Sequence, residues 1–187
     1  DISDSVGMVT VVGPESGATL EGVVADAEPG GFVLAGGGPL DGGYLAMAGP
    51  EGLSVIAAPD MLAELWTALE ARGAVPAGWG VWDTLRVEAG RPAFGRDMDD
   101  RTIPIEAGLE DAIDHAKGCY TGQEVIVRIR DRGHVNWHLR RLELGESTPN
   151  PGDELFEEGG EKALGRVTSS VQSPGFGQVV GLGYVRR

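Results

Sequence analysis

Lys117-Gly118-Cys119-Tyr120-Thr121-Gly122-Gln123-Glu124 is the segment from which the rest of the chain is interpreted, and it holds the only cysteine of the 187 residues. Its two glycines indicate a loop, because glycine permits turns and close approaches that other residues resist. The loop is predicted to lead into a helix that begins near Thr121. A thiol just before a helix N-terminus, beside Lys117 and His115, is in a setting that favours the thiolate. The alternative is a half-buried cysteine that only packs.

A second segment with chemical character runs from Val81 to Glu88. Its spacing predicts a helix with Val81, Leu85 and Glu88 on one face. A carboxylate on an apolar stripe needs a partner, because burying it unpaired costs several kcal/mol. One candidate partner is an arginine of the same chain. Those nearby are Arg86, Arg91 and Arg96. The other candidate is a ligand that presents two adjacent N–H donors.

Three ordered segments resemble the YgfZ-type folate-binding proteins, a branch of the superfamily that includes the glycine-cleavage T-protein. The segments are residues 117–124, residues 83–92 with 95–98, and residues 165–170 with 173–174 and 181–185. The first of them, the octet, indicates the YgfZ branch rather than the aminomethyltransferases.

The resemblance implies an α+β fold in two parts. Residues 1–133 are expected to be the later part of a folate-binding module, and residues 134–187 a small C-terminal β-barrel domain. The opening residues, Asp1 to Met8, resemble the middle of that module, so an N-terminal portion of it is expected to be missing from this sequence.

The resemblance also implies a cofactor site for tetrahydrofolate or a one-carbon derivative of it. A pterin ring presents the adjacent N–H pair that a carboxylate accepts, and Glu88 is expected to bind it. Arg96 and Tyr120 are expected to be further cofactor contacts, and Cys119 is the candidate catalytic residue. The residues that support the motif are Lys117, Gly118, Gly122, Gln123 and Glu124.

The function that the resemblance implies is tetrahydrofolate binding in the assembly or repair of iron–sulfur enzymes. The partners would be a reduced folate and iron–sulfur proteins or their assembly factors. Two alternatives stay open: a tetrahydrofolate-dependent aminomethyl- or methyltransferase like the T-protein, and a non-catalytic module whose barrel docks a partner. Whether the chain is an enzyme therefore also stays open.

The composition is strongly acidic, with 29 acidic against 15 basic residues and a net charge of −14. This charge disfavours nonspecific binding to nucleic acid or to anionic membranes. Only two of the basic residues are lysines, which indicates either a surface adapted to high salt or a GC-rich genome. A single cysteine excludes an internal disulfide and favours the cytoplasm. No membrane span or signal peptide is apparent.

Hydrophobic periodicity predicts the remaining elements. Strands are predicted at residues 8–12, 44–47 and 53–57, a short helix near residues 16–20, and a hairpin across the glycine-rich residues 29–43. A longer helix after Pro59 has an apolar stripe at Leu62, Leu65, Trp66 and Leu69, and Gly73 ends it.

Two histidines, four positions apart, are candidate metal ligands by residue type. His134 and His138 fall in a pattern of strand periodicity, and residues four apart on a strand are separated by about 13 Å. No metal site is therefore predicted.

Overall fold

The computed structural model describes residues 1–24, 31–37, 40–48 and 52–187. The chain forms two compact units, Asp1–Pro76 and Ala77–Arg187. The boundary predicted between residues 133 and 134 concerns the modules that the resemblance implies, and it stays a prediction. None of the helices in the described ranges is both long enough and apolar enough to cross a membrane.

The first unit is built on a four-stranded antiparallel sheet in the order β1-β4-β3-β2. Its strands are β1 (Gly7–Val12), β2 (Phe32–Gly37), β3 (Leu40–Ala48) and β4 (Gly52–Ala57), and its helices are α1 (Ser16–Leu20) and α2 (Pro59–Ala71). Strands β2 and β3 pair as the predicted hairpin, with Gly37 opposite Leu40. The residues at its tip, 38–39, and the start of the glycine-rich stretch, 29–30, lie outside the described residues.

The predicted stripe on α2 forms the core of this unit. Leu62, Leu65 and Leu69 are buried in one cluster with residues of β3 and β4. Burial of each leucine contributes about 2 kcal/mol. Trp66 departs from the prediction, because 41% of it is exposed. Gly73 follows the helix with a φ of 91°, a conformation in which glycine is favoured as a helix stop.

The second unit is built on an antiparallel sheet in the order β5-β8-β7-β6. Its strands are β5 (Trp137–Gly145), β6 (Glu154–Phe156), β7 (Ala163–Ser173) and β8 (Gln178–Arg186), and its helices are α3 (Trp79–Glu88) and α4 (Gln123–Arg132). A short 3-10 turn spans Glu110–Ala112. Within the described residues the four strands form one sheet with β5 and β6 at its edges, and closure into a barrel stays a prediction.

Helix α3 packs on β7 and β8 through a face other than the predicted one. Its buried residues are Arg86 and Val87, whereas Val81 is 50% exposed. Val87 joins Val180 and Leu182 in the core of the unit. The apolar pattern of the sequence failed here because Arg86 is buried with its hydrogen bonds made, which hydrophobic periodicity does not register.

Candidate functional site

The octet forms a loop that ends at helix α4. Gly122 has a φ of 86°, which glycine adopts at low cost, and α4 begins at the next residue, as predicted to within two positions. Gln123 stabilises the loop through two hydrogen bonds to the backbone of Tyr120. Its side-chain Oε1 accepts a hydrogen bond from the Tyr120 N–H at 3.4 Å, and its own N–H donates to the Tyr120 carbonyl at 3.3 Å.

Cys119 lies exposed in this loop as a free thiol. Lys117 and Tyr120 lie before and after it in the sequence. The Lys117 ammonium is 4.9 Å from the centre of the Tyr120 ring, a cation–π contact. Asp114 holds the start of the loop, because its Oδ1 accepts the N–H groups of Ala116 at 2.8 Å and of Lys117 at 3.1 Å. These backbone hydrogen bonds lower the pKa of Asp114. The loop thus presents the Cys119 thiol to solvent.

Glu88, the last residue of α3, is half-buried and bonded to its own chain. Its Oε1 accepts the hydroxyl of Ser173 and the N–H of Gly175, the latter at 3.2 Å. The Ser173 hydroxyl in turn accepts the N–H of Phe176 at 2.9 Å. Among the described hydrogen bonds, the partners of the carboxylate are therefore the last residue of β7 and the turn after it. The described contacts of Arg86 and Arg96, two of the arginines considered from the sequence, go elsewhere.

The turn between β7 and β8 approaches Glu88 closely, and Arg141 contacts both the end of α3 and this turn. A Cβ atom on Gly175 would lie 3.1 Å from Glu88 Oε1 and 3.3 Å from Oε2, so any larger residue would press on the carboxylate. Arg141 donates from Nη1 to the Glu88 carbonyl at 3.1 Å and stacks 4.5 Å from the centre of the Phe176 ring. A guanidinium at this position satisfies a carbonyl at the C-terminus of α3.

Arg96 contacts Asp83. Asp83 lies on α3, five residues before Glu88. The Arg96 guanidinium forms an ion pair with Asp83 Oδ2 and stays 59% exposed. Five residues correspond to a rotation of about 140° around a helix, so Asp83 and Glu88 point to different sides of α3. Partial burial acts to raise the pKa of Asp83, but the hydrogen bonds from Arg86 and Arg96 outweigh it and lower that pKa.

Sequence reasoning missed the main polar cluster of the unit, which is centred on Arg86 and Asp97. Arg86 donates to Asp97 at 2.7 Å, to Asp83 at 2.9 Å and to the Ser169 hydroxyl at 3.0 Å. Asp97 Oδ1 accepts hydroxyls of Thr168 at 2.6 Å and Ser169 at 2.7 Å, and its Oδ2 accepts the Ala93 N–H at 2.9 Å. The i, i+3 spacing of Asp83 and Arg86 was the one available signal.

The three residues predicted to bind the cofactor therefore have different contact partners within the chain. Glu88 bonds to the β7–β8 turn, Arg96 to Asp83, and Tyr120 to Lys117 and Gln123. Tetrahydrofolate fits Glu88 in part: Oε1 is engaged, while within the described residues no hydrogen bond reaches Oε2. That oxygen has capacity for one N–H of a pterin. The pterin role of Glu88 and the contact roles of Arg96 and Tyr120 stay predictions.

Potential metal ligands do not cluster in the described ranges. Groups of three or more His, Cys, Asp or Glu side chains that could hold an ion are not found there. His138 lies on β5 and His134 precedes that strand.

Comparison with known proteins agrees with the superfamily suggested by the sequence. A family model described as the GCVT N-terminal domain matches residues 48–117. An aminomethyltransferase of Thermosynechococcus vestitus is 36% identical over 138 residues, which cover 73% of this chain and 37% of that protein. An aminomethyltransferase of Rippkaea orientalis is 32% identical over 199 aligned residues, which cover 100% of this chain and 52% of that protein.

A solved structure is similar as well. The crystal structure of glycine cleavage system aminomethyltransferase T from Bartonella henselae matches with a TM-score of 0.63 and 27% identity, over 76% of this chain and 42% of that one. The chain spans about half or less of the length of these curated relatives. Sequence and structure together support the assignment of the chain to the superfamily of the glycine-cleavage T-protein, without distinguishing its YgfZ branch.

Proposed function

We propose that this chain carries part of a tetrahydrofolate-dependent transferase, which moves a one-carbon unit from an aminomethyl donor to the folate. The observation that carries the proposal is the 32% identity to a protein named aminomethyltransferase across the whole of this chain. This is one of the alternatives left open by the sequence, and the relatives favour it over the iron–sulfur role. The whole activity is part of the proposal, because the chain covers 52% of that relative.

Glu88 is the proposed contact with the pterin ring. One oxygen of its carboxylate is held by Ser173 and Gly175, which orients the group before any ligand arrives. A carboxylate oriented in this way loses little entropy on binding. A larger residue at position 175 would crowd Oε2, because its Cβ would lie 3.3 Å from that oxygen.

A second candidate function is the iron–sulfur role, and the exposed Cys119 thiol is the observation that favours it. An accessible thiol is suited to nucleophilic or redox chemistry. The two functions differ in whether they need this residue. An aminomethyltransferase needs the folate site and a donor, whereas the iron–sulfur role, as the octet suggests it, needs the thiol.

The experiment uses the complete gene product that contains this chain. Tetrahydrofolate is titrated anaerobically into the wild type and into Cys119→Ala, with heat measured by calorimetry. Both proteins are expected to bind the folate equally, because the pterin contact is assigned to Glu88. Absence of binding in a folded wild type would overturn the transferase and favour the non-catalytic module.

The two candidate functions are then separated in cells that lack the protein. If the transferase proposal is right, Cys119→Ala retains the function of the wild type. Failure of Cys119→Ala to restore the activity of iron–sulfur enzymes, with the wild type restoring it, would establish the second candidate instead.

A further inference from the structure

The unit Ala77–Arg187 contains a cavity of about 540 Å³ that is lined neither by Glu88 nor by the octet. Its volume lies in the range of small-molecule sites, roughly 300–1,000 Å³. Five charged residues line the cavity, together with Thr102, Trp137 and Tyr184; the charged ones are Asp99, Arg101, Glu106, Glu154 and Arg166.

Tyr184 supplies the first sign of a ligand. Only 7% of the residue is exposed, and its hydroxyl has no hydrogen-bond partner in the part of the chain that the structure describes. A buried hydroxyl without a partner is costly, and native structures contain few of them. Thr102 is the nearby hydroxyl, but it donates its own proton to Asp99 Oδ1 at 3.0 Å, and no hydrogen bond from it to Tyr184 is described.

The Tyr184 hydroxyl stays protonated at neutral pH. Burial raises the pKa of Tyr184; Thr102 and Arg166 oppose this rise, and Asp97 and Glu106 add to it. Tyr184 is therefore a hydrogen-bond donor available to a ligand in the cavity.

Strand register places a positive charge beside this donor. Arg166 on β7 is directly opposite Tyr184 on β8, and side chains paired in this way project from the same face, with Cβ atoms about 5 Å apart. Glu154 on β6 is directly opposite Arg166 on its other side, but among the described ion pairs none involves Arg166. A guanidinium next to a phenol O–H is a suitable receptor for a carboxylate.

Three carboxylates line the same cavity, those of Asp99, Glu106 and Glu154. Leu139 on β5, the other strand neighbour of Tyr184, donates its N–H to the Glu106 carbonyl at 2.7 Å, which brings Glu106 against this part of the sheet. Glu106 is half-buried, and in the described residues its carboxylate has no ion-pair partner. A simple anion would meet this carboxylate, so the lining suits a ligand with both charges.

From these contacts we infer that the cavity binds a free α-amino acid with a large apolar side chain. Arg166 and the Tyr184 hydroxyl hold its carboxylate, and Glu106 holds its ammonium group. Trp137, which is 38% exposed, provides an aromatic wall for the side chain. The volume exceeds what the smallest amino acids fill. The inference is independent of the proposed folate chemistry, because Glu88, Arg96 and Tyr120 do not line this cavity.

The test titrates three probes of the same shape into the complete gene product: L-phenylalanine, phenethylamine and 3-phenylpropionate. Calorimetry is expected to show L-phenylalanine binding at least about 10-fold more tightly than either analogue, because each analogue lacks one charge-assisted pair. Tyr184→Phe is expected to weaken binding roughly 5-fold and Arg166→Gln at least about 10-fold.

Arg140→Gln is the matched control, because Arg140 is exposed on β5 and does not line the cavity. It is expected to leave the affinity for L-phenylalanine unchanged, and thermal melting verifies that each variant is folded. Equal affinity for all three probes or unchanged affinity in both cavity variants would overturn the inference. So would absence of L-phenylalanine binding to a folded wild type at concentrations up to roughly 10 mM.

Discussion

The guanidinium of Arg86 lies 2.7 Å from the carboxylate of Asp97, and the two side chains are only 4% and 0% exposed. The pair joins α3 to the loop that follows it, and hydroxyls of Thr168 and Ser169 connect the same carboxylate to β7. Burial of two charges is costly, and it is tolerated here because every partner is a hydrogen-bonding group in good geometry. The cluster therefore positions the helix that ends at Glu88.

Replacement of Arg86 by methionine tests this role. The variant leaves the Asp97 carboxylate buried without its guanidinium, so the free energy of unfolding is expected to fall by about 3–5 kcal/mol. Urea denaturation followed by circular dichroism measures the change.

Arg96→Gln is the control for the loss of an arginine near α3. Its guanidinium is 59% exposed, and such ion pairs contribute at most about 1 kcal/mol. Similar losses in the two variants would contradict a special role for the buried pair.

Asp83 provides a prediction about pH. Its pKa is lower in the folded chain than its ordinary value of 3.8, so the ionised group stabilises the fold above that value and its contribution is lost as the pH falls through the folded pKa. The difference in unfolding free energy between wild type and Asp83→Asn is therefore expected to be largest near neutral pH and to shrink in acid. Denaturation at a series of pH values measures it, and a difference that grows on acidification would contradict the assignment.

The elements were predictable where one physical signal dominated. Leu62, Leu65 and Leu69 marked the buried face of α2 by spacing alone, and Gly122 marked the turn before α4. The buried face of α3 was not predictable in this way, because Arg86 is buried through partners as far as 83 positions along the chain, at Ser169. Such distant hydrogen bonds leave no local pattern.

The candidate site was predictable to a smaller extent. The need of Glu88 for a partner followed from its place among apolar residues, but Ser173 and Gly175 come from the β7–β8 turn, and the register that brings this turn to the end of α3 is set by tertiary packing. Tyr184 gave no signal in the sequence, since a tyrosine in an apolar strand usually has a partner for its hydroxyl.

Glu88→Gln separates the proposed pterin contact from a purely structural role. If Glu88 binds the pterin, the affinity of the complete gene product for tetrahydrofolate is expected to fall by about 2 kcal/mol, because a charge-assisted pair is lost. Calorimetry measures the affinity, and Glu143→Gln, an exposed carboxylate on β5, is the control. Lower stability with unchanged affinity would restrict Glu88 to holding the β7–β8 turn.

The net charge of −14 makes a prediction about salt. If the acidic surface is an adaptation to high salt, the melting temperature is expected to rise from low salt to about 1 M KCl, where the screening length falls to roughly 3 Å and like charges repel less. Scanning calorimetry measures the melting temperature. A flat or falling value would leave codon preference as the account of the many arginines and few lysines.

The most direct test of the proposed function is turnover by the complete gene product. An aminomethyl donor is incubated with wild type or Cys119→Ala, with and without tetrahydrofolate, and the folate-bound one-carbon unit is quantified. The account predicts product only when tetrahydrofolate is present, at similar rates in the wild type and in Cys119→Ala. A folded wild type that binds the folate but transfers no one-carbon unit from the donor would contradict it.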